Sequence, residues 1–364
     1  MKLRKLAIGV GVAALVAAAA MAPTASNAAD LPTAKAVRIG YFANLTHGPA
    51  LIARQQKLFE KYLGAGVNIQ YTYFTVGTAE IEALKGGAID IGYVGPSPAL
   101  SGYTTTRGSL LNIVSGATTG GAVFVVKPGL IATPGSPTKA EIAALAKKNI
   151  ADPGLGGTQD VALRTYLVKN GLYAGGRSPV NIVPLANADA LTQFKLGKID
   201  GAWVPEPWAT RLIQEGNAKV FVNEKTLWND GQFPTTVVIA GKKFLNQYPG
   251  SVRAVLQANN DAIKFLSNSG NRQEAINEVQ DELFAGTGKK LADKVIATAW
   301  DNLSFSPDPI GSAVLRGFQS AVYLKLLPTG TQTASLKGLF NLNILNGLLK
   351  ADNQPLVTVP AEFK

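Results

Sequence analysis

The chain has no cysteine, one histidine and two methionines among its 364 residues. Without thiolates there is no disulfide framework, no thiolate zinc or iron–sulfur site and no Cys–His pair. A serine–histidine–acid triad would have to use His47, and no Gly-x-Ser-x-Gly turn accompanies it. The HExxH helix, the calcium-loop pattern and the lysine-bearing phosphate loop are absent too. Gly154-Leu155-Gly156-Gly157 is too short a signal to mean a nucleotide. Paired carboxylates stay open, because spatial pairs are invisible in a sequence. No block of five or six like charges occurs, so the net charge of +11 does not point to nucleic acid. The composition therefore leads away from catalysis, metal and cofactor, and towards a soluble protein whose modest positive field suits small anions.

After residue 30 no run is long and apolar enough to span a bilayer. Before it, Lys2, Arg4 and Lys5 precede an apolar run from Leu6 to Ala20 and a small, polar exit from Pro23 to Asp30. This three-part pattern predicts a cleaved signal peptide over 1–28, with Ser26 and Ala28 as the small pair. A lipoprotein needs a cysteine just after its signal, and this chain has none. The expectation is a free, unlipidated protein in the periplasm, with secretion as the alternative. Removing those 28 residues from 364 leaves 336, long enough for two domains, and lowers the charge from +11 to +8 because three basic residues go.

What the rest contains is an alternation of short apolar strands and helical stretches. Strands are predicted at 37–41, 67–74, 89–93, 111–114 and 123–126, with helices at 49–62 and 78–84 and another opening at 97. The rhythm restarts after Pro128, with helices at 141–147, 158–169, 189–196 and 205–213 and strands at 149–151, 181–185, 201–204 and 219–223. One more strand, 235–240, precedes helical stretches at 251–266, 273–284, 291–302 and 312–326. Such alternation means an α/β fold with a largely parallel sheet. The halves echo each other: Gly86-Gly87-Ala88-Ile89-Asp90 parallels Gly197-Lys198-Ile199-Asp200, and each following strand runs into a proline-bearing turn, at Gly95-Pro96-Ser97-Pro98 and Val204-Pro205-Glu206-Pro207. The expected layout is a first lobe over 29–127, a second over 128–231, and a return to the first over 232–364 with the C-terminal helices on it.

Five segments stand out as strand-to-helix turns: Asn44 to Pro49, Thr75 to Thr78, Gly95 to Pro98, Ser115 to Thr118 and Gly156 to Asp160. Each offers unpaired backbone N–H groups at a helix start, a ready anion site. In an open α/β sheet such turns gather at the carboxyl ends of the strands. Plain N-capping is the competing reading for any one of them. His47 fits either a cleft or a turn. Of the two tryptophans beside Glu206, the expectation gives Trp208 to the core and Trp203 to the cleft.

Those segments resemble the NMT1-like substrate-binding proteins for aliphatic sulfonates, taurine and nitrate. The resemblance is carried by Asn44-Leu45-Thr46-His47-Gly48-Pro49-Ala50-Leu51, Gly86 to Pro98, Gly156 to Arg164 and Asp200 to Trp208, in order along nearly the whole chain. It implies a type II periplasmic-binding-protein fold, with two α/β lobes joined by a two-segment hinge and the ligand cleft between them. The implied partners are the permease subunits of an ABC importer with their ATPase, and the implied state is a monomer with no cofactor. Candidate ligand contacts are Asn44, His47, Gly48, Gly77, Thr78, Ser97, Pro98, Thr118, Thr158, Gln159, Trp203 and Glu206. The head group of an alkanesulfonate would lie against Ser97, Thr118, Thr158 and Gln159, and Trp203 and Tyr41 would flank its tail. Nitrate, an aromatic carboxylate or a thiamine-precursor pyrimidine would suit the same fold. An exported hydrolase using His47 is the alternative of another class. A related pyrimidine-synthesising enzyme is implied to need a cysteine-rich iron site, which a chain without cysteine cannot build.

Overall fold

The computed structural model describes residues 31–228 and 230–364. The expected signal peptide, 1–28, lies outside the described residues. Two sheets form. The first holds β1 (Ala36–Phe42), β2 (Asn68–Phe74), β3 (Ile91–Val94), β4 (Leu111–Gly120), β10 (Pro234–Gly241) and β11 (Leu303–Phe305), in the order β2-β1-β3-β10-β4-β11. The second holds β5 (Ala122–Val126), β6 (Asn149–Asp152), β7 (Asn181–Pro184), β8 (Gly201–Pro205) and β9 (Lys219–Asn223), in the order β7-β6-β8-β5-β9.

The sheets are mixed rather than largely parallel. β1 runs parallel to β2 and β3, while β10 lies antiparallel between β3 and β4. Likewise β6 runs parallel to β7 and β8, while β5 lies antiparallel between β8 and β9. The antiparallel strand of each sheet is the one delivered from the other lobe. Sequence periodicity carries no strand direction, so this exchange was invisible in it.

The helices are α1 (Gly48–Gln55), α2 (Leu58–Leu63), α3 (Gly77–Lys85), α4 (Pro96–Thr105), α5 (Lys139–Ala143), α6 (Thr158–Lys169) and α7 (Asn187–Lys195). They continue with α8 (Trp208–Gly216), α9 (Lys242–Gln247), α10 (Pro249–Ser267), α11 (Arg272–Thr287), α12 (Asp293–Trp300), α13 (Gly311–Tyr323) and α14 (Asn343–Ala351). They cover both faces of each sheet, so β3, β4, β5 and β8 are buried at every position. That is why these strands read as continuous apolar or small-residue runs.

The repeated Ile-Asp does the same work twice. The Asp90 carboxylate accepts the Arg38 N–H at 2.9 Å and its own N–H returns to the Arg38 carbonyl at 2.8 Å. The Asp200 carboxylate accepts the Asn149 N–H at 2.9 Å, and its N–H returns to the Asn149 carbonyl at 2.7 Å. Each aspartate thus closes the corner that leads into β3 or β8.

Several expected bounds move. The helix expected over 49–62 is two, because Lys57 takes φ +54° and the chain turns between α1 and α2. The helix expected from Pro205 begins at Trp208, because Pro205 still pairs with Ala122 and the Glu206 N–H reaches the Gly121 carbonyl. The first crossing between lobes, expected near Lys127, lies at Gly120-Gly121, where β4 ends and β5 begins. Both glycines have φ +72°, and a Cβ on Gly120 would come within 2.6 Å of the Asn302 carbonyl oxygen. Only glycine suits that approach. The second crossing falls between Asn223 and Pro234. Among the C-terminal helices, α10 packs on α1 and α2, whereas α13 touches both α4 and α6, and α12 touches α8.

Candidate functional site

Three strands in each lobe end in a loop that starts a helix: β1, β2 and β3 lead to α1, α3 and α4, and β6, β7 and β8 lead to α6, α7 and α8. The starts of α1, α3, α4, α6 and α7 all border one cavity between the lobes, with about 450 Å³ of space. Its wall is formed by Phe42, Asn44, Thr46 and His47 before α1, Thr75, Val76 and Gly77 at α3, and Gly95 and Pro98 at α4. The second lobe adds Pro153, Gly154, Gly157, Thr158 and Gln159 at α6, Asn187 at α7, and Pro205; Thr235 of β10 completes it. None of the five helices has a side-chain cap.

The consequence is electrostatic. First-turn amides have no partner inside a helix, and the macrodipole places partial positive charge there. Pro49, Pro96 and Pro98 remove donors from α1 and α4, so the amides come mainly from α3, α6 and α7. No Lys, Arg, Asp or Glu side chain lines this cavity. It is a neutral but polarised chamber, suited to a small anion. Asn187 adds a side chain that is nearly buried and whose Oδ1 has no partner.

His47 is buried, and its ring stacks on Phe42 with centroids 4.6 Å apart. Its Nδ1 accepts the Phe42 N–H at 3.2 Å, so the ring proton sits on Nε2. Burial lowers its pKa to about 3. It is a neutral donor and a poor general base, and no carboxylate in the cavity wall could orient it.

Two buried carboxyl groups lie behind α6. Asp160 pairs with Arg164 at 2.6 Å and accepts the Gly156 N–H at 2.9 Å. Burial, and then the charge on Asp160, raise the pKa of Asp152, which accepts the Gly154 N–H at 2.9 Å. With Asp160 paired to Arg164 and the neutral form of Asp152 favoured, the positive end of α6 is less offset than two free carboxylates would make it.

A larger outer chamber, about 1090 Å³, shares Asn44, Thr75 and Asn187 with the inner one. Tyr73, Phe74, Leu191 and Trp208 give it apolar wall, and Lys195, Arg211, Glu215 and Lys289 give it charge. Trp208 Nε1–H donates to Asn44 Oδ1 at 2.7 Å, joining the lobes across the cleft. The Arg211 guanidinium lies 4.6 Å from the Trp208 ring and pairs with Glu215 at 2.6 Å. Lys289 reaches the same carboxylate at 3.4 Å from the other lobe. A further cross-lobe contact runs from the Ser97 N–H to Thr158 Oγ1 at 3.4 Å. Gly95 permits it, since a Cβ there would collide with that hydroxyl.

Of the residues singled out from the sequence, Asn44, His47, Gly77, Pro98, Thr158 and Gln159 border the inner chamber. Gly48 lies behind it, facing Phe305, and the Thr78 side chain is exposed. Ser97 contributes its N–H to the seam and lines a different cavity. Thr118 is not in a turn: Ser115 to Thr118 continue β4, and Thr118 is buried between β10 and β11. Trp208 is in the core as expected, and it also borders the outer chamber; Trp203 is not in the cleft. Trp203 is fully buried, stacked on Phe124 at 5.4 Å, with Nε1–H donating to Glu224 at 2.7 Å. Glu206 is an anchor, accepting from the Thr210 N–H at 3.0 Å and from Asn302 at 2.8 Å. Tyr41 is buried against Arg54, away from the cleft. Asn187 went unnoticed, although the repeat held the clue: α7 follows β7 as α3 follows β2.

The model of the NMT1-like family matches residues 30–279. The chain belongs to the NMT1-like family. Its sequence is 23% identical over 262 residues to the nitrate/nitrite binding protein NrtA of Synechocystis, covering 68% of this chain and 56% of that one. It is 26% identical over 229 residues to the taurine-binding periplasmic protein of Escherichia coli, covering 63% of this chain and 66% of that one. The chain thus spans less than two thirds of the length of these relatives. Both relatives are binding proteins. Among solved structures, the alkanesulfonate-binding protein SsuA of Xanthomonas axonopodis pv. citri bound to MOPS superposes with a TM-score of 0.66 at 23% identity, covering 82% of this chain and 96% of that one. The periplasmic nitrate-binding protein NrtA of Synechocystis gives 0.72 at 17%, covering 90% and 93%. The fold is that of the periplasmic binding proteins.

Proposed function

We propose that this protein captures a small organic oxyanion, an aliphatic sulfonate or taurine-like compound, and hands it to the permease of an ABC importer. The observation that carries this reading is the convergence of five uncapped helix N-termini on a chamber without charged side chains. Oxygen atoms of the head group would accept from the amides of α3, α6 and α7, from His47 Nε2–H and from the hydroxyls of Thr75 and Thr158. Neutral donors hold an anion without a fixed counter-charge, which eases later release. The outer chamber supports an organic body, which Trp208 and Tyr73 would cover and which a bare nitrate does not have. Lys195, Arg211 and Lys289 at that end outnumber Glu215 and would draw anions in. The Gly120-Gly121 crossing and the segment from Asn223 to Pro234 act as the hinge. The periplasm is the place of action.

A thermal-shift panel on residues 29–364, refolded once to strip bound solute, tests this. Taurine, alkanesulfonates, nitrate, sulfate, benzoate and hydroxymethylpyrimidine form the panel. A true ligand at roughly 100 times its Kd adds about 2.7 kcal/mol of stability. Sulfonates are expected to shift the transition, and Asn187→Ala to weaken them about tenfold, the cost of one hydrogen bond donated by the side-chain Nδ2–H to the anion. A shift with nitrate alone would make the inner chamber the whole site. Silence from every anion would overturn oxyanion capture.

A further inference from the structure

A second cavity, with about 650 Å³ of space, shares Thr158 with the cleft but opens elsewhere. Its walls come from both lobes: Leu100 on α4, Tyr166 on α6, Phe233 from the second crossing, and α13. Trp228 and Phe233 stack there with centroids 5.6 Å apart and rings 13° from parallel. The cavity continues into a surface groove past Thr165, Lys169, Arg316 and Ser320, ending at exposed Tyr323.

Two cations stand side by side where cavity and groove meet. Among the described residues neither Lys169 nor Arg316 forms an ion pair. Arg316 lies 4.4 Å from the Trp228 ring and gives one N–H to the Leu227 carbonyl at 2.9 Å, leaving most of its fork unused. Burial, and then the charge on Arg316, lower the pKa of Lys169. Like charges so placed are unfavourable unless an anion joins them. Thr165 Oγ1 is buried beside them without a partner. The inner acid, Glu224, is bonded to Trp203 and pushed up by burial to about 7, with the Trp203 and Trp228 donors and the Arg316 charge pulling it back; it compensates Arg316 only in part and is bonded to neither cation.

We propose that this cavity is a second binding site, for an aryl carboxylate: the ring against Trp228, Phe233 and Tyr166, the carboxylate between Lys169 and Arg316 with the Thr165 hydroxyl donating. Aromatic walls favour a flat apolar body, and a planar carboxylate matches the open guanidinium edge. This site is independent of the identity of the cleft ligand, since the two sites have only Thr158 in common. A ring seated there bridges α4 of one lobe and α6 of the other.

Isothermal titration of 2-naphthoate into residues 29–364 tests the site. Gly317 lines the cavity from α13, and a Cβ on it would meet nothing within 4 Å, so the side chain of Gly317→Leu starts into open space and takes up part of the cavity. That variant is expected to raise Kd at least about tenfold, and so is Lys169→Gln with Arg316→Gln, by loss of charge-assisted bonds. Asn187→Ala, in the cleft, is expected to leave 2-naphthoate binding unchanged. Uncharged 2-naphthalenemethanol is expected to be lost with Gly317→Leu and retained by the double variant. Loss of 2-naphthoate from Asn187→Ala but not from Gly317→Leu would place it in the cleft and overturn the proposal. So would an absence of binding to the unaltered chain at up to about 5 mM.

Discussion

The two lobes share a frame and differ in how each deals with its buried acids. In both, an Ile-Asp corner leads into the central strand, and an antiparallel strand arrives from the other lobe. In both, a first-turn acid sits on a helix that borders the cleft, Glu80 on α3 and Asp160 on α6. Asp160 has Arg164. Glu80 has no cation; it is fully buried with neither oxygen in a well-formed hydrogen bond, in a slot that Gly40 and Gly92 leave open. Burial raises its pKa well above the carboxylate range, only partly offset by the Tyr93 backbone. One lobe neutralises its acid by pairing and the other by protonation. The lesson is that the frame aims the helix ends, while each lobe separately keeps negative charge away from them.

The crossings offer the sharpest way to break the comparison. At Gly121 a side chain would meet Leu303 on a backbone with φ +72°, so Gly121→Val should cost more than about 3 kcal/mol in urea unfolding. At Gly231, in the second crossing, φ is +65° but the space is open, and Gly231→Ala should cost only about 1 kcal/mol. Equal losses would show that the two segments are constrained alike.

Next in size is the corner pair. Asp90→Ala and Asp200→Ala should each lose about 2 kcal/mol, the former more, because Asp90 is more buried and also holds the Arg38 fork. Burial pushes the Asp200 carboxyl up, but the Asn149 N–H and the Lys127 ammonium outweigh it and hold its pKa low. Its contribution is therefore present above the unfolded pKa of about 3.9 and fades as pH falls through the folded value. The deficit of Asp200→Ala should shrink in acid; a deficit that is flat with pH would show that the corner is held without the charge.

The smallest effect is expected at Glu80. Its folded pKa is raised, so the unfolded chain ionises above about pH 4.3 while the fold keeps the proton, and stability falls as pH rises. Glu80→Gln should gain about 1 kcal/mol on the parent between pH 4 and 8. A constant difference across that range would mean that Glu80 is ionised in the fold, and the contrast with Asp160 would vanish.

Much of this was legible beforehand. The helix 158–169 has the expected bounds, and strands and helices alternate as their periodicity requires. Half of the candidate contacts border the inner chamber because helix-start chemistry is local: a glycine, a hydroxyl and an abrupt change of period are visible in a few residues. The failures share another cause. Trp203 sits in a strand buried on both faces, and alternation does not say which face meets a ligand. Trp208 is buried in the core as expected, but its indole N–H finds Asn44, 164 residues away, which no local pattern shows. Thr118 has the composition of a turn but lies in a strand with partners on both sides, one of them β11, near the far end of the chain.

By itself the sequence determined the kind of molecule: no thiol chemistry, an α/β rhythm used twice, and glycine- and hydroxyl-rich helix starts able to receive an anion. These follow from composition and short-range period, which act over a few residues. Only the tertiary structure decided which helix starts meet, which tryptophan faces the cleft, and that each lobe is completed by a strand from the other. Those outcomes depend on contacts between residues sixty or more positions apart, and no local propensity encodes which distant partner will share a wall.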